Sequence, residues 1–332
     1  MIRFQLGLAD LASTSFAYSA LLETVLSLRM WTHPGHYAEQ RPLFERMRPA
    51  FERLDTGLLT ALVASNRWVP DILTPRPRGP WSDVRAELEM VRAEPPEALQ
   101  ADLRRTFLPH DRELPARLAQ GLDEPQVLLA QIADALEEYW ETCLAPQWWP
   151  RARSVLEADI VYRARRLAEQ GAAGLFADLS HRLHWEDGSL TIRWDRPDPL
   201  PDAEVLVDGR GLLLMPTCFA RGAITTINPG APPHISYPAR GRATMAENQE
   251  PPPHAASLER LLGRPRARLL TMLSEPVSTT ELARRLGVTP GAVSQHLAVL
   301  SAALLTTRAR HGRMVLYARS RLGDELCGRG AP

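Results

Sequence analysis

The side chains with the clearest chemistry lie between residues 279 and 319. Ser294, Gln295 and His296 follow one another in a segment with helical spacing. A glutamine amide can bond N6 and N7 of adenine in the major groove, a pairing worth about 1 to 3 kcal/mol of discrimination. Three arginines crowd a short turn further on: Arg308, Arg310 and Arg313. Guanidinium groups at such a turn can bind phosphates, a contact that gives affinity without sequence information, so these residue types favour contact with duplex DNA.

Two helices separated by a tight turn would position the glutamine. Gly287 ends the first helix, and Pro290 suits the first position of the second because its missing N–H would have no partner there. Thr289 precedes it and is expected to cap that helix. The predicted contacts with DNA therefore include Thr289, Pro290 and Gly291 at the start of the second helix.

The second helix carries one apolar stripe. Val293, Leu297 and Leu300 fall at positions i, i+4 and i+7 and are expected to be buried together. This arrangement leaves Gly291, Gln295 and Ala298 facing outward.

Two β-like runs follow around His311 and Gly312. They alternate, with Thr306, Arg308 and Arg310 on one face and Leu305, Thr307 and Ala309 on the other. Helix, turn, helix and basic hairpin together predict a winged helix-turn-helix. The alternative, a small helical domain with a solvated basic edge, is disfavoured because all four parts agree in order and spacing.

This region resembles the ArsR/SmtB family of winged-helix transcriptional regulators, from about residue 258 to residue 319. The matching segments are residues 261–270 before the motif, Thr280 to Ala283 in its first helix, Ser294-Gln295-His296-Leu297 in its recognition helix, and Arg310 to Arg313 with Tyr317 in its wing. The resemblance implies a sequence-specific DNA-binding regulator, expected to be a repressor. It also implies a homodimer on a two-fold operator of double-stranded DNA.

The chain departs from the metal-sensing members of that family. Ala283 and Arg285 stand where those relatives carry a pair of cysteine ligands, which excludes thiolate capture of a metal there. The second family site needs Asp and His after the wing, and this chain has Asp324 but no histidine beyond His311. We therefore expect no metal and no cofactor, and we expect sensing to occur outside the winged helix.

Composition limits the other function classes. The chain has 332 residues and is 45% hydrophobic, which is enough for two or three domains. Its formal net charge is zero. All 39 basic residues are arginine, so enzymes that need a P-loop, kinase or Schiff-base lysine are excluded. Residues 257–320 hold ten arginines against three acids, the charge pattern of a phosphate-binding module.

Cysteine usage and hydropathy indicate the compartment. Cys143, Cys218 and Cys327 are scattered and odd in number, which favours a reducing compartment over a disulfide framework. No apolar run approaches the roughly 18 to 20 residues of a membrane span. The sequence predicts a soluble, cytoplasmic protein without membrane contact.

The preceding residues predict an α+β protein. Residues 1–185 show helical periodicity, and residues 190–237 read as a small antiparallel sheet. Residues 246–256 contain three consecutive prolines and are the candidate linker. The predicted organisation is a domain 1–245 for sensing and dimerisation, this linker, and the winged helix 257–332.

Two clusters in the first domain could bind small partners. The aromatic group Tyr139, Trp140, Trp148 and Trp149 is the candidate ligand pocket, with core packing as the alternative. His181 and His184 lie three residues apart, as two metal ligands on one helix would, but no further ligands are evident. The chain is therefore expected not to be an enzyme. An enzyme fused to a winged helix and a protein-interaction module stay open as alternatives.

Overall fold

The computed structural model describes residues 1–65, 67–81, 83–111, 113–194, 202–228, 230–245, 254–274, 276–311, 314–324 and 326–327. The chain divides into two units, Met1–Glu247 and Asn248–Pro332. Each unit has its own buried core, and each is described by itself. Within the described residues, no helix is long and apolar enough to cross a membrane.

The first unit is mainly helical. Its helices are α1 (Leu8–Ala12), α2 (Ala20–Thr32), α3 (Arg41–Phe51), α4 (Thr56–Leu62), α5 (Val84–Arg92), α6 (Pro96–Asp111), α7 (Ala116–Gly121), α8 (Pro125–Tyr139), α9 (Ala145–Gln147) and α10 (Trp149–Phe176). A π-helical turn, Trp140–Leu144, joins α8 to α9, and 3-10 turns occur at Pro34–His36, Ala38–Gln40, Asp71–Leu73 and Arg242–Met245. The helical periodicity of residues 1–185 is confirmed by these helices.

Among the described residues of the first unit, seven strands form two sheets. The strands are β1 (Ile2–Gln5), β2 (Ser15–Phe16), β3 (Leu183–Glu186), β4 (Ser189–Ile192), β5 (Ala203–Leu206), β6 (Leu213–Thr217) and β7 (His234–Pro238). The first sheet has the order β3-β4-β1-β5, and the second has the order β2-β6-β7. In the first sheet, β1 runs antiparallel to β4 and parallel to β5. In the second, β6 runs parallel to both β2 and β7.

The α+β class is confirmed, but the prediction of one small antiparallel sheet is wrong. One sheet is mixed and the other is parallel. Strands β1 and β2 come from a segment that the sequence predicts to be helical, and β6 and β7 pair in parallel instead of antiparallel. The alternation of Ile2 and Phe4 with Arg3 and Gln5 is too short to stand out. Its partners are remote, with Ile2 opposite both Ile192 and Ala203.

The second unit contains α11 (His254–Leu262), α12 (Arg264–Met272), β8 (Val277–Ser278), α13 (Thr279–Leu286), α14 (Pro290–Ala302), β9 (Thr306–His311), β10 (Met314–Arg319) and α15 (Arg321–Asp324). Its strands form an antiparallel sheet with the order β8-β10-β9. Of the predicted linker, residues 246–253 lie outside the described residues. Residues 254–256 belong to the start of α11.

A buried carboxylate joins three parts of the first unit. Glu23 on α2 is fully buried and accepts hydrogen bonds from the Thr217 hydroxyl at 2.5 Å and the Cys218 N–H at 2.8 Å. Its other oxygen accepts the Trp148 indole N–H at 3.3 Å. Burial removes water from the carboxylate and raises its pKa by more than these three hydrogen bonds lower it. The pKa of Glu23 rises from 4.5 to about 6. Helix α2, the end of β6 and the start of α10 therefore meet at one titratable group.

This pKa predicts how stability depends on pH. Because the folded state binds the Glu23 proton more tightly than the unfolded state, this group should lower stability as pH rises from 4.5 through 6, by about 2 kcal/mol. Glu23→Gln cannot titrate and should flatten that part of the profile, measured as the unfolding midpoint of the full chain against pH. The matched control is the exposed Glu52→Gln. A wild-type profile in Glu23→Gln would contradict the assignment.

Candidate functional site

The first helix of the motif, α13, ends at Gly287, which adopts the left-handed conformation that favours glycine. Ser278 begins α13 by accepting the Glu281 N–H on its hydroxyl at 3.3 Å. Gly287 has φ of 67°, and the next amide, Val288 N–H, donates back to the Ala283 carbonyl at 3.1 Å. This closure stops the helix abruptly, and the second helix begins at Pro290, three residues after Gly287.

The second motif helix begins where the sequence predicts. The Thr289 hydroxyl accepts the Ala292 N–H at 3.3 Å, and Pro290 occupies the first turn. The predicted cap is therefore confirmed. Val293, Leu297 and Leu300 are each no more than 1% exposed, which confirms the buried stripe.

The outward face of α14 carries the predicted DNA-contacting side chains. Thr289, Pro290, Gly291, Ser294 and Gln295 are all exposed, whereas His296 is half-buried. Ala298 is exposed as expected. The structure thus places Ser294 and Gln295 on an accessible surface, with a helix N-terminus beside them.

The wing is a two-stranded hairpin. Arg308 lies opposite Tyr317 and Arg310 lies opposite Val315, and both arginines are exposed. Arg313, the third predicted phosphate contact, lies outside the described residues. At the base of the hairpin, the hydroxyls of Ser301 on α14 and Thr306 on β9 are 2.8 Å apart and share a hydrogen bond. The wing is thereby joined to the helix that carries Gln295.

Three arginines of the second unit are paired with acids of the same unit. Glu281 accepts hydrogen bonds from Arg284 at 2.8 Å and from Arg285 at 2.7 Å, and these bonds lower its pKa to about 2. Arg319 is buried, and its guanidinium lies 2.9 Å from the Asp324 carboxylate. Arg319 is thereby held inside the fold. Arg284 and Arg285 share one carboxylate and stay exposed, and Arg308 on the wing is exposed as well.

The turn from α14 into the wing contains backbone strain. Leu304 has φ of 60°, a conformation that costs a non-glycine residue about 1 to 2 kcal/mol. Its side chain is 72% exposed, so burial does not offset the cost. Its carbonyl accepts the Ser320 hydroxyl at 2.5 Å, and its N–H donates to the Ser301 carbonyl at 3.0 Å. Backbone hydrogen bonds on both sides hold the turn in place.

The candidate aromatic pocket packs into the core of the first unit. Tyr139, Trp140 and Trp148 are buried, and Trp149 is half-buried with its ring 5.1 Å from that of Trp140. The Tyr139 hydroxyl shares a hydrogen bond with Ser27 at 2.9 Å, and the Trp148 N–H is used by Glu23. The polar atoms of Tyr139 and Trp148 are therefore occupied inside the protein. A groove of about 460 Å³ lies elsewhere, at the end of α2.

The histidine pair does not assemble a metal site. His181 lies in a turn and His184 lies in strand β3, so they do not share the helical face that their spacing required. Among the described residues, no group of three histidine, cysteine, aspartate or glutamate side chains could hold a metal ion.

Two family models match separate parts of the chain. Residues 264–308 match a helix-turn-helix domain, from α12 to the first residues of β9. Residues 105–243 match a family of unknown function, DUF5937, from the end of α6 to beyond β7. Comparison with curated proteins and with solved structures yields no match. The second unit therefore contains a helix-turn-helix domain, which supports a DNA-binding regulator at the family level.

The strained turn predicts that glycine stabilises the second unit. Leu304→Gly relieves the left-handed strain and loses little burial, so it should add about 0.5 to 1 kcal/mol after the entropic cost of glycine. Slower hydrogen exchange of the α14 and β10 amides in the full chain would show this gain. The matched control, Leu304→Ala, removes the same side chain but keeps the strain and should give no gain. Equal protection in both variants would contradict the prediction.

Proposed function

We propose that this protein is a sequence-specific DNA-binding transcriptional regulator in which α14 enters the major groove. The observation that carries the proposal is the exposed face of α14, with Ser294 and Gln295 outward, within a matched helix-turn-helix domain. The opposite face is buried, so this is the side that α14 can present to a duplex.

Gly291 supports close approach of DNA to the start of α14. A Cβ at this position would meet no atom within 4 Å, so packing inside the protein does not require glycine. Its conformation does not require glycine either, since its φ is not positive. Glycine in a helix costs up to about 1 kcal/mol relative to alanine. A phosphate or base edge lying against the N-terminal turn accounts for a residue without a side chain there.

Readout and affinity belong to different side chains. Gln295 is the base reader, through paired hydrogen bonds to adenine, and Ser294, Thr289 and His296 contact base edges or backbone. Arg308 and Arg310, with Arg313, bind phosphates through the wing. The N-terminal turn of α14, including Pro290, faces the backbone with its helix dipole.

The regulator is proposed to act as an ArsR-like repressor without the cysteine metal site. Ala283 lies on the buried side of α13 and Arg285 is bonded to Glu281, so neither position offers a metal ligand. We further propose a cytoplasmic homodimer to which the first unit contributes, because two-fold operators require two reading heads. Control by a small ligand is assigned to the first unit.

Gel retardation with the DNA upstream of the coding region tests this function. Retardation of that DNA in excess polyanion competitor is the expected result. Absence of retardation at every salt concentration would refute the proposal and favour a protein-binding role for the same face.

Gln295→Ala should relax the base preference at one position of the operator. Loss of the amide removes about 1 to 3 kcal/mol of discrimination there but leaves nonspecific binding nearly unchanged. Competition binding to operators substituted one base pair at a time measures this effect. The control variant is Gln131→Ala, an exposed glutamine on α8. A uniform loss across all sequences would show that Gln295 does not read a base.

Replacement of Arg308 and Arg310 together by alanine should weaken the salt dependence of binding. Two lost phosphate contacts reduce the slope of log K against log salt by about two, with little change in base preference. The control is Arg165→Ala on α10, which removes an exposed arginine from the first unit. An unchanged slope in the double variant would exclude these wing residues from the interface.

A further inference from the structure

A groove with an apolar floor and a cationic rim lies at the carboxyl end of α2. Met30, Tyr37 and Phe44 contribute its apolar surface, and Arg41 and Arg48 lie on the side formed by α3. Its volume of about 460 Å³ falls in the range of small-molecule sites, roughly 300 to 1,000 Å³. The groove is therefore large enough for a ligand of one or two rings.

One rim arginine is held in place by aromatic rings. The Arg48 guanidinium lies over the Phe44 ring at 5.0 Å and over the Trp31 ring at 5.8 Å from the centroids. Trp31 in turn stacks on Phe51, with centroids 3.8 Å apart and planes within 3°. Such a cation is ordered before any ligand arrives, which lowers the entropic cost of binding.

The acidic partner of Arg48 is weakly engaged. Glu52 lies 3.9 Å from its guanidinium, and both side chains are more than half exposed, so water screens the pair. The other acid at the groove, Glu45, accepts the Arg41 Nε–H at 2.9 Å. A carboxylate entering the groove would thus meet Arg48 as a donor with hydrogen-bonding capacity.

Further arginines lie near one wall residue of the groove, Tyr37. Burial raises the pKa of Tyr37, while the nearby guanidiniums of Arg29, Arg221 and Arg242 oppose that rise. Three cations therefore act on the hydroxyl of a residue in the groove wall. Together with Arg41 and Arg48, which line the groove, this positive charge favours an anionic ligand.

We propose that this groove binds a planar aromatic carboxylate. The ring packs against the exposed Pro34 and Ala38 beside Phe44, and the carboxylate accepts hydrogen bonds from Arg48 at the rim. Inorganic phosphate would leave the apolar floor without a partner, and an uncharged aromatic would not use the charge of Arg48, which Glu52 engages only weakly. As an effector site, the groove rests on the proposed function, whereas binding itself does not.

The site can be blocked without disturbing the core. Gly35 lies in the groove wall, its φ is not positive, and a Cβ there would meet no atom within 4 Å. Gly35→Leu should therefore fold normally and occupy part of the groove. Arg48→Gln removes the charge from a side chain that is half exposed. Arg46→Gln, on the same helix but outside the groove wall, is the matched control.

Calorimetric titration of the full chain with 2-naphthoate tests the proposal, with 2-naphthamide as the uncharged comparator. We expect 2-naphthoate to bind about tenfold more tightly than the amide. Arg48→Gln should raise the dissociation constant for 2-naphthoate by about tenfold, Gly35→Leu should weaken binding of both compounds, and Arg46→Gln should match the wild type. Equal affinity for the two compounds, wild-type affinity in both groove variants, or no binding would overturn the proposal.

Gel retardation of the upstream DNA with and without 2-naphthoate separates this site from the proposed function. Binding of 2-naphthoate with no retardation in either condition would refute the regulator and leave the groove assignment standing. Retardation of the DNA without any binding of 2-naphthoate would refute the groove assignment and leave the regulator standing. Binding together with a changed retardation supports both.

Discussion

Burial of three side chains on α14 determines what the second unit can present to a partner. Val293, Leu297 and Leu300 are excluded from water in one core with residues of α12 and α13. Each such burial is worth roughly 1.5 to 3 kcal/mol, so rotating the helix about its axis would be costly. The rotation of α14 is thereby fixed, and Gln295 faces outward as a consequence.

Local signals made the helix-turn-helix predictable, and remote pairing made the sheets unpredictable. Thr289, Pro290 and Gly287 act within a few residues of their own positions, so cap, start and stop can be read directly. Strand β1 instead owes its structure to β4 and β5, whose residues follow much later in the chain. Pairing and register of that kind depend on the whole fold, which four residues of alternating pattern do not specify.

The sequence gives the number of arginines and tryptophans, but only the structure shows which of them are paired or buried. The spacing of Glu281 with Arg284 and Arg285 is the i+3 and i+4 pattern of helix ion pairs, so these pairs can be predicted from the sequence. The burial of the Arg319 side chain cannot be predicted from such local spacing. The number of tryptophans near residue 148 suggests a ligand pocket, yet the Trp148 indole N–H is bonded to the buried Glu23. The groove was marked only by Phe44 and Arg48, four residues apart on α3, a pair that is common on helix surfaces.

The placement of β1 in the interior of its sheet affects biosynthesis. The Gln5 side chain is hydrogen-bonded to Ser189 and Glu204. Strand β1 lies between β4 and β5, which both come from much later in the chain. During translation, β1 leaves the ribosome long before either neighbour has been made. The sheet can close only after release of most of the first unit, so a chaperone that shields this apolar strand in the interval would raise the yield of folded protein.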